Sequence, residues 1–133
     1  EGILERKKEG LYPEEKVVLS RKFFNLKLYH NLEMLRICGL IEDLERFYDF
    51  PTIILFGSYS KAMDDKLSDI DICLITGIEK EIDTKKYEKI LKRKVSLHLF
   101  NKKRWIIAKE KNMGLVNNIL NGIVLGGEFE PYE

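Results

Sequence analysis

Cysteine is scarce in this chain of 133 residues, with only Cys38 and Cys73 present. They stand far apart with no paired spacing, which excludes a disulfide framework and a zinc cluster and suits reduced thiols. No apolar run nears the roughly 20 residues that cross a bilayer, and no charged head with an apolar stretch opens the chain. Membrane and secretory readings fall away, and a cytoplasmic protein is expected. Internal repeats and low-complexity segments are also missing. Net charge is almost absent, at +1, so the total says little about partners.

Apolar residues make up 44% and charged residues 34%, enough to fill a core and too much apolar content for a disordered chain. The length fits one domain with a fragment of a second. Beneath the near-neutral total lies a gradient: residues 1–50 are net −1, 51–84 net −4 and 85–111 net +9. The basic stretch 85–111 is a candidate contact for nucleic-acid phosphate. The opening Glu1-Gly2-Ile3-Leu4, without methionine, suggests the continuation of a longer chain.

Residues 1–12 are glycine-punctuated and could form half of a hairpin. Pro13 suits a first helical turn, and Glu14 and Glu15 suit its positive end. Leu28, Leu32, Leu35, Ile41, Leu44 and Phe47 or Tyr48 then recur at helical spacing, predicting one long helix or two with Gly39 as the break. Thr52 to Phe56 is a β-branched apolar run of strand length, stopped by Gly57-Ser58. A short helix and loop over 59–66 and a second strand over 69–75 follow. Asp83 or Thr84 can cap a helix with Tyr87, Ile90 and Leu91 on one face, ending near Arg93. Val95, Leu97 and Leu99 alternate with Ser96 and His98, the period of a strand. Asn101 can cap the next helix, and a last one, around 115–121, ends at Gly122, where a left-handed position favours glycine. Ile123-Val124-Leu125 adds a short strand.

The chemistry concentrates in Leu55-Phe56-Gly57-Ser58-Tyr59-Ser60-Lys61 and Ser68-Asp69-Ile70-Asp71-Ile72. Alternation along a strand puts Asp69 and Asp71 on one face while Ile70, Ile72 and Leu74 face the core. Two carboxylates held close repel unless a cation sits between them, and such oxygen donors suit Mg²⁺ or Mn²⁺. Gly57 lets the backbone approach a ligand, and Ser58 with the following amides offers donors to phosphate oxygens. A phosphate site beside a carboxylate pair describes a metal–nucleotide site.

Strand, Gly-Ser, a small helix and Ser-Asp-x-Asp in a second strand form a pattern by which residues 52–76 resemble the minimal nucleotidyltransferase domain of the DNA polymerase beta superfamily. The resemblance implies an α/β (α+β) fold, a small mixed twisted sheet with helices mainly on one face, preceded by a long helix. It implies that Gly57 and Ser58 hold the triphosphate of ATP or another NTP, with Lys61 and Ser68 as further nucleotide contacts, and that Asp69 and Asp71 are catalytic metal ligands. Asn121 to Leu125 resembles the end of small prokaryotic domains of this kind, and Gly2 to Gly10 resembles the wing of a winged helix-turn-helix. The implied organisation is a wing remnant or linker at 1–12, a helical linker at 13–50 and a nucleotidyltransferase domain at 51–133, similar to archaeal and bacterial proteins that join those modules. A missing N-terminal DNA-binding domain would be a second route to nucleic acid.

The sequence departs from that pattern twice. Ala62 stands where family members usually carry glycine, a mild change if the backbone there is helical. Active members carry a third carboxylate on the next strand, where Lys94 to Phe100 offers Ser96 and His98 instead. His98, with its near-neutral ordinary pKa, is the candidate base or weak ligand there. Three functions follow from the resemblance: transfer of a nucleoside monophosphate to a hydroxyl acceptor, nucleotide binding by a weakened enzyme that regulates a DNA-binding module, and an antitoxin-like role toward a partner protein of the HEPN-type RNase class.

Overall fold

Helical spacing after Pro13 becomes two helices separated at Gly39. The computed structural model describes residues 13–127, with side chains from Ser20 onward, so the proposed wing remnant at 1–12 lies outside the described residues. Helix α1 spans Pro13–Ile37 and α2 spans Leu40–Phe47. Gly39 has φ +84°, a left-handed conformation that only glycine adopts without a Cβ penalty. The apolar stretch after Pro51 forms β1 (Thr52–Phe56), followed by a short 3-10 helix (Ser58–Lys61) and β2 (Ile70–Ile75). Helix α3 (Lys85–Leu91) then leads to β3 (Val95–Phe100), α4 (Lys102–Lys111), α5 (Met113–Leu120) and β4 (Ile123–Gly126).

The four strands form one mixed sheet in the order β3-β2-β1-β4. β1 runs antiparallel to both β2 and β4, and β2 runs parallel to β3. A parallel pair needs a crossover, and the segment containing α3 supplies it. β1 is apolar and buried from Ile53 to Phe56 because both its faces are covered. Ile53 and Leu55, with Ile70, Ile72 and Leu74 of β2, pack on Leu35, Leu40, Leu44, Tyr48, Tyr87 and Leu91. On the opposite face Ile54, Phe56 and Cys73 meet Trp105, Val116 and Ile119. Thus α1, α2 and α3 cover one face with the larger core, and α4 and α5 cover part of the other. The C-terminal half of the 13–50 stretch is built into that larger core.

Polar groups fasten the helices to one another. Tyr87 is buried and its hydroxyl donates to the Asp43 carboxylate, joining α3 to α2. Burial pushes the Tyr87 phenol up, and the hydrogen bond it donates holds the Asp43 carboxyl below the usual carboxylate range. Asn101 Oδ1 accepts from the Arg104 amide at 2.7 Å, the expected cap of α4.

Four local expectations are corrected. Ile90 does not share the buried face of α3; Tyr87 and Leu91, one turn apart, are buried while Ile90 is 51% exposed. The helix also stops earlier, at Leu91, with Lys92 left-handed at φ 55°. Gly122 is not left-handed: a Cβ there would collide with the Leu55 carbonyl and the Ile54 side chain, so close approach to β1 explains the glycine. Ala62 is not in a right-handed helical conformation but has φ 55° and ψ 29°. The usual glycine would adopt that conformation freely, whereas alanine is strained by about 1 kcal/mol, partly offset by burial of its methyl group.

Candidate active site

The turn after β1 depends on Gly57. Its φ of 77° and ψ of −165° fall where essentially only glycine is found. A Cβ at Gly57 would also lie 2.5 Å from Asp71 Oδ2, well inside van der Waals contact. The backbone conformation requires glycine, a side chain here would also push the Asp71 carboxylate aside, and that carboxylate faces the turn with no side chain between. Ser60 fixes the turn by donating its hydroxyl to the Gly57 carbonyl at 2.7 Å. Lys61, at the end of the 3-10 helix, is exposed.

Replacing Gly57 by Ala is expected to cost about 2–3 kcal/mol in urea unfolding. The same change at Gly77, where a Cβ meets nothing within 4 Å, is expected to shift stability by less than about 0.5 kcal/mol. Equal effects at both positions would show that neither the backbone conformation of Gly57 nor its approach to Asp71 constrains the residue.

The sheet register brings the second group of residues to the same place. Asp71 lies opposite Phe56 on one side and Ser96 on the other, and Cys73 lies opposite His98. His98 Nε2 lies 3.5 Å from Asp71 Oδ1 and 3.4 Å from Ser96 Oγ. The Phe56 ring meets the His98 ring edge-on, with centroids 5.1 Å apart. Asp71 and His98 are each about one-third exposed, so this polar end of the face opens to solvent where the apolar cover of α4 and α5 ends. Asp69 lies just before β2 and is exposed.

Asp69 and Asp71 are the oxygen donors here that suit a hard divalent cation. Among the described residues no third His, Cys, Asp or Glu completes a metal-binding group. The two β3 side chains beside Asp71 are Ser96 and His98, as the alternation of β3 implied.

Ser68 takes part in a local turn. Its hydroxyl donates to Asp65 Oδ1 at 3.2 Å and accepts from the Asp65 amide at 3.0 Å, while the Leu67 amide donates to the same carboxylate at 2.8 Å. The Leu67 amide is the main cause holding the Asp65 carboxyl below its usual range, with Ser68 adding to it. This turn sets the approach of the chain to Asp69. Cys73 shares the Asp71 face, but it is fully buried and burial alone pushes its thiol up to about 12, so it is inert packing.

Asp64 has a role that its place in the loop before β2 does not announce. Its side chain is 1% exposed and accepts from Asn31 Nδ2 at 3.0 Å, with Lys27 Nζ at 3.3 Å and Arg93 at 3.4 Å. Asn31 Nδ2 also donates to the Tyr59 carbonyl at 3.1 Å. The Tyr59 hydroxyl donates to the Asn31 carbonyl, and burial pushes that phenol up to about 12. The segment leaving the Gly57-Ser58 turn is thus clamped to α1 and to the end of α3.

The basic stretch 85–111 does not make one surface. α3 packs by Tyr87 and Leu91 on the α1 side of the sheet, whereas α4 packs by Trp105 on the other.

Residues 37–125 match the family of the nucleotidyltransferase domain, a span that includes the Gly57 turn, both aspartates and β3. The chain belongs to this family. No curated protein matches the chain. For this nucleotidyltransferase domain, no helix among the described residues is long and apolar enough to cross a membrane.

Proposed function

We propose that this nucleotidyltransferase domain moves a nucleoside monophosphate from ATP or another NTP to a hydroxyl acceptor, in a reaction that depends on Mg²⁺, with Mn²⁺ as an alternative ion. The observation that supports it most is that the Gly57 turn, in a backbone conformation that favours glycine, lies directly against the Asp71 carboxylate. A glycine backbone against a carboxylate about one-third exposed fits a site where triphosphate and cation meet.

In this reading Asp69 and Asp71 hold the ion through carboxylate oxygens. Bound there, it would neutralise triphosphate charge and polarise the phosphorus under attack. The chain's own groups do the rest. The open backbone at Gly57, the Ser58 hydroxyl and the Lys61 ammonium orient the triphosphate, and the Asp65–Ser68 turn fixes the position of Asp69. His98, beside Asp71, takes the proton of the attacking hydroxyl. A bond forms between the acceptor oxygen and the α-phosphorus, the bond to the bridging α–β oxygen breaks, and pyrophosphate leaves.

A second reading, nucleotide binding without turnover, is favoured by one observation: Ser96 and His98 flank Asp71 where active relatives would carry a carboxylate. Incubation with ATP labelled at the α-phosphate, Mg²⁺ and protein, RNA or small-molecule hydroxyl acceptors separates the two. Transfer of label is expected, and His98→Ala is expected to slow it by about 100-fold with Mg²⁺–ATP affinity unchanged. Binding of ATP with no label on any acceptor would replace the enzyme by the regulator.

A further inference from the structure

A cleft of about 700 Å³ lies between α1, the 59–64 segment and the end of α3. Its volume is that of a small-molecule site, for which roughly 300–1,000 Å³ is usual. It borders the face of the sheet that holds Ile70, Ile72 and Leu74, whereas Asp71 and His98 belong to the other. Nothing in the proposed transfer uses it.

Its walls combine two chemistries. Phe23, Leu26, Met34, Ile90 and Leu91 supply apolar surface, and Leu26 and Ile90 remain 68% and 51% exposed. Lys27, Lys92 and Arg93 supply positive charge. The acidic group lining the cleft is Asp64, whose one carboxylate meets both Lys27 and Arg93. With Lys92 added, cationic charge exceeds anionic charge. Arg93 Nε is, among the described residues, a buried side-chain nitrogen with no hydrogen-bond partner. A buried unpaired donor on a charged group is costly, so Asp64 leaves Arg93 incompletely satisfied.

The cleft is also held in shape before any ligand arrives. Asn31, 3% exposed, bridges the Tyr59 carbonyl and Asp64, and Asp64 in turn fixes the heads of Lys27 and Arg93. Preorganised cations beside uncovered apolar surface favour a ligand that carries both a negative group and an apolar body.

We propose that this cleft is a second binding site, for a small organic anion with an apolar body, separate from the triphosphate site. It does not depend on the nucleotidyl-transfer reading. The anionic group pairs with Arg93 and Lys92, and the body covers Leu26, Phe23 and Ile90. Because Tyr59 and Asp64 belong to the chain leaving the Gly57-Ser58 turn, an occupant contacts the segment that carries that turn.

The test uses 8-anilino-1-naphthalenesulfonate, an aromatic anion, and its uncharged relative N-phenyl-1-naphthylamine. On the folded chain the anion is expected to bind saturably at one site, with amide shifts in NMR spectra grouped at Leu26–Met34, Tyr59–Asp64 and Ile90–Arg93. The uncharged probe is expected to bind about tenfold more weakly or worse. Ile90→Asp, a change at an exposed position, is expected to weaken the anion about tenfold or more by repulsion, and Arg93→Met to do the same by removing its partner. Asp71→Asn is expected to leave it unchanged. Shifts mapping elsewhere, equal affinity for the two probes, or an Ile90→Asp protein that binds as tightly as the parent would each overturn the proposal.

Discussion

Asp71→Asn is expected to lower Mg²⁺-dependent NTP affinity by about 100-fold or more and to abolish measurable transfer. Asparagine keeps the shape of the side chain, so the packing beside Gly57 and His98 is retained while the charge proposed to hold a cation is lost. Asp71 is only partly buried and its contact with His98 is long, 3.5 Å, so unfolding in urea should move by less than about 1 kcal/mol. That combination, lost binding with kept stability, distinguishes a ligand-binding carboxylate from one that only supports the fold. A variant with unchanged Mg²⁺–NTP affinity would remove Asp71 from the site.

The second large effect is the converse, a loss of stability at a residue outside the proposed chemistry. Asp64→Ala strips Lys27 and Arg93 of their shared anion and Asn31 of one acceptor. Breaking a buried pair by removing one partner costs about 3–5 kcal/mol. Lys27 and Arg93 retain 29% and 20% exposure, so water recovers part of that, and about 2–3 kcal/mol is expected in urea unfolding. The turn at Gly57 should loosen with it, because Asn31 ties Tyr59 and Asp64 to the same helix. A cost below about 1 kcal/mol would mean that the clamp is solvated.

These two aspartates also mark how far the sequence could be read. Asp71 announces itself because it alternates with Ile70 and Ile72 in an apolar strand after a Gly-Ser turn, all short-range signals. The strands, the break at Gly39 and the caps at Asn101 are legible for the same reason. Asp64 has no local signature: its partners Asn31 and Arg93 lie 33 and 29 residues away, and only the fold brings them together. Gly122 is legible as a glycine that matters, but its cause lies in contact with β1 and not in backbone conformation. The basic stretch 85–111 reads as one band along the chain, yet α3 and α4, on either side of β3, pack on opposite faces of the sheet. Period and turn chemistry survive in one dimension, whereas side-chain pairing across elements does not.

The most direct test of the proposed metal–nucleotide site is calorimetric titration of the chain with ATP in the presence and absence of Mg²⁺. Saturable binding that requires Mg²⁺ and is lost in Asp71→Asn is expected. No binding under either condition, or binding of equal strength without the ion and in the variant, would contradict a site built on Gly57, Asp69 and Asp71.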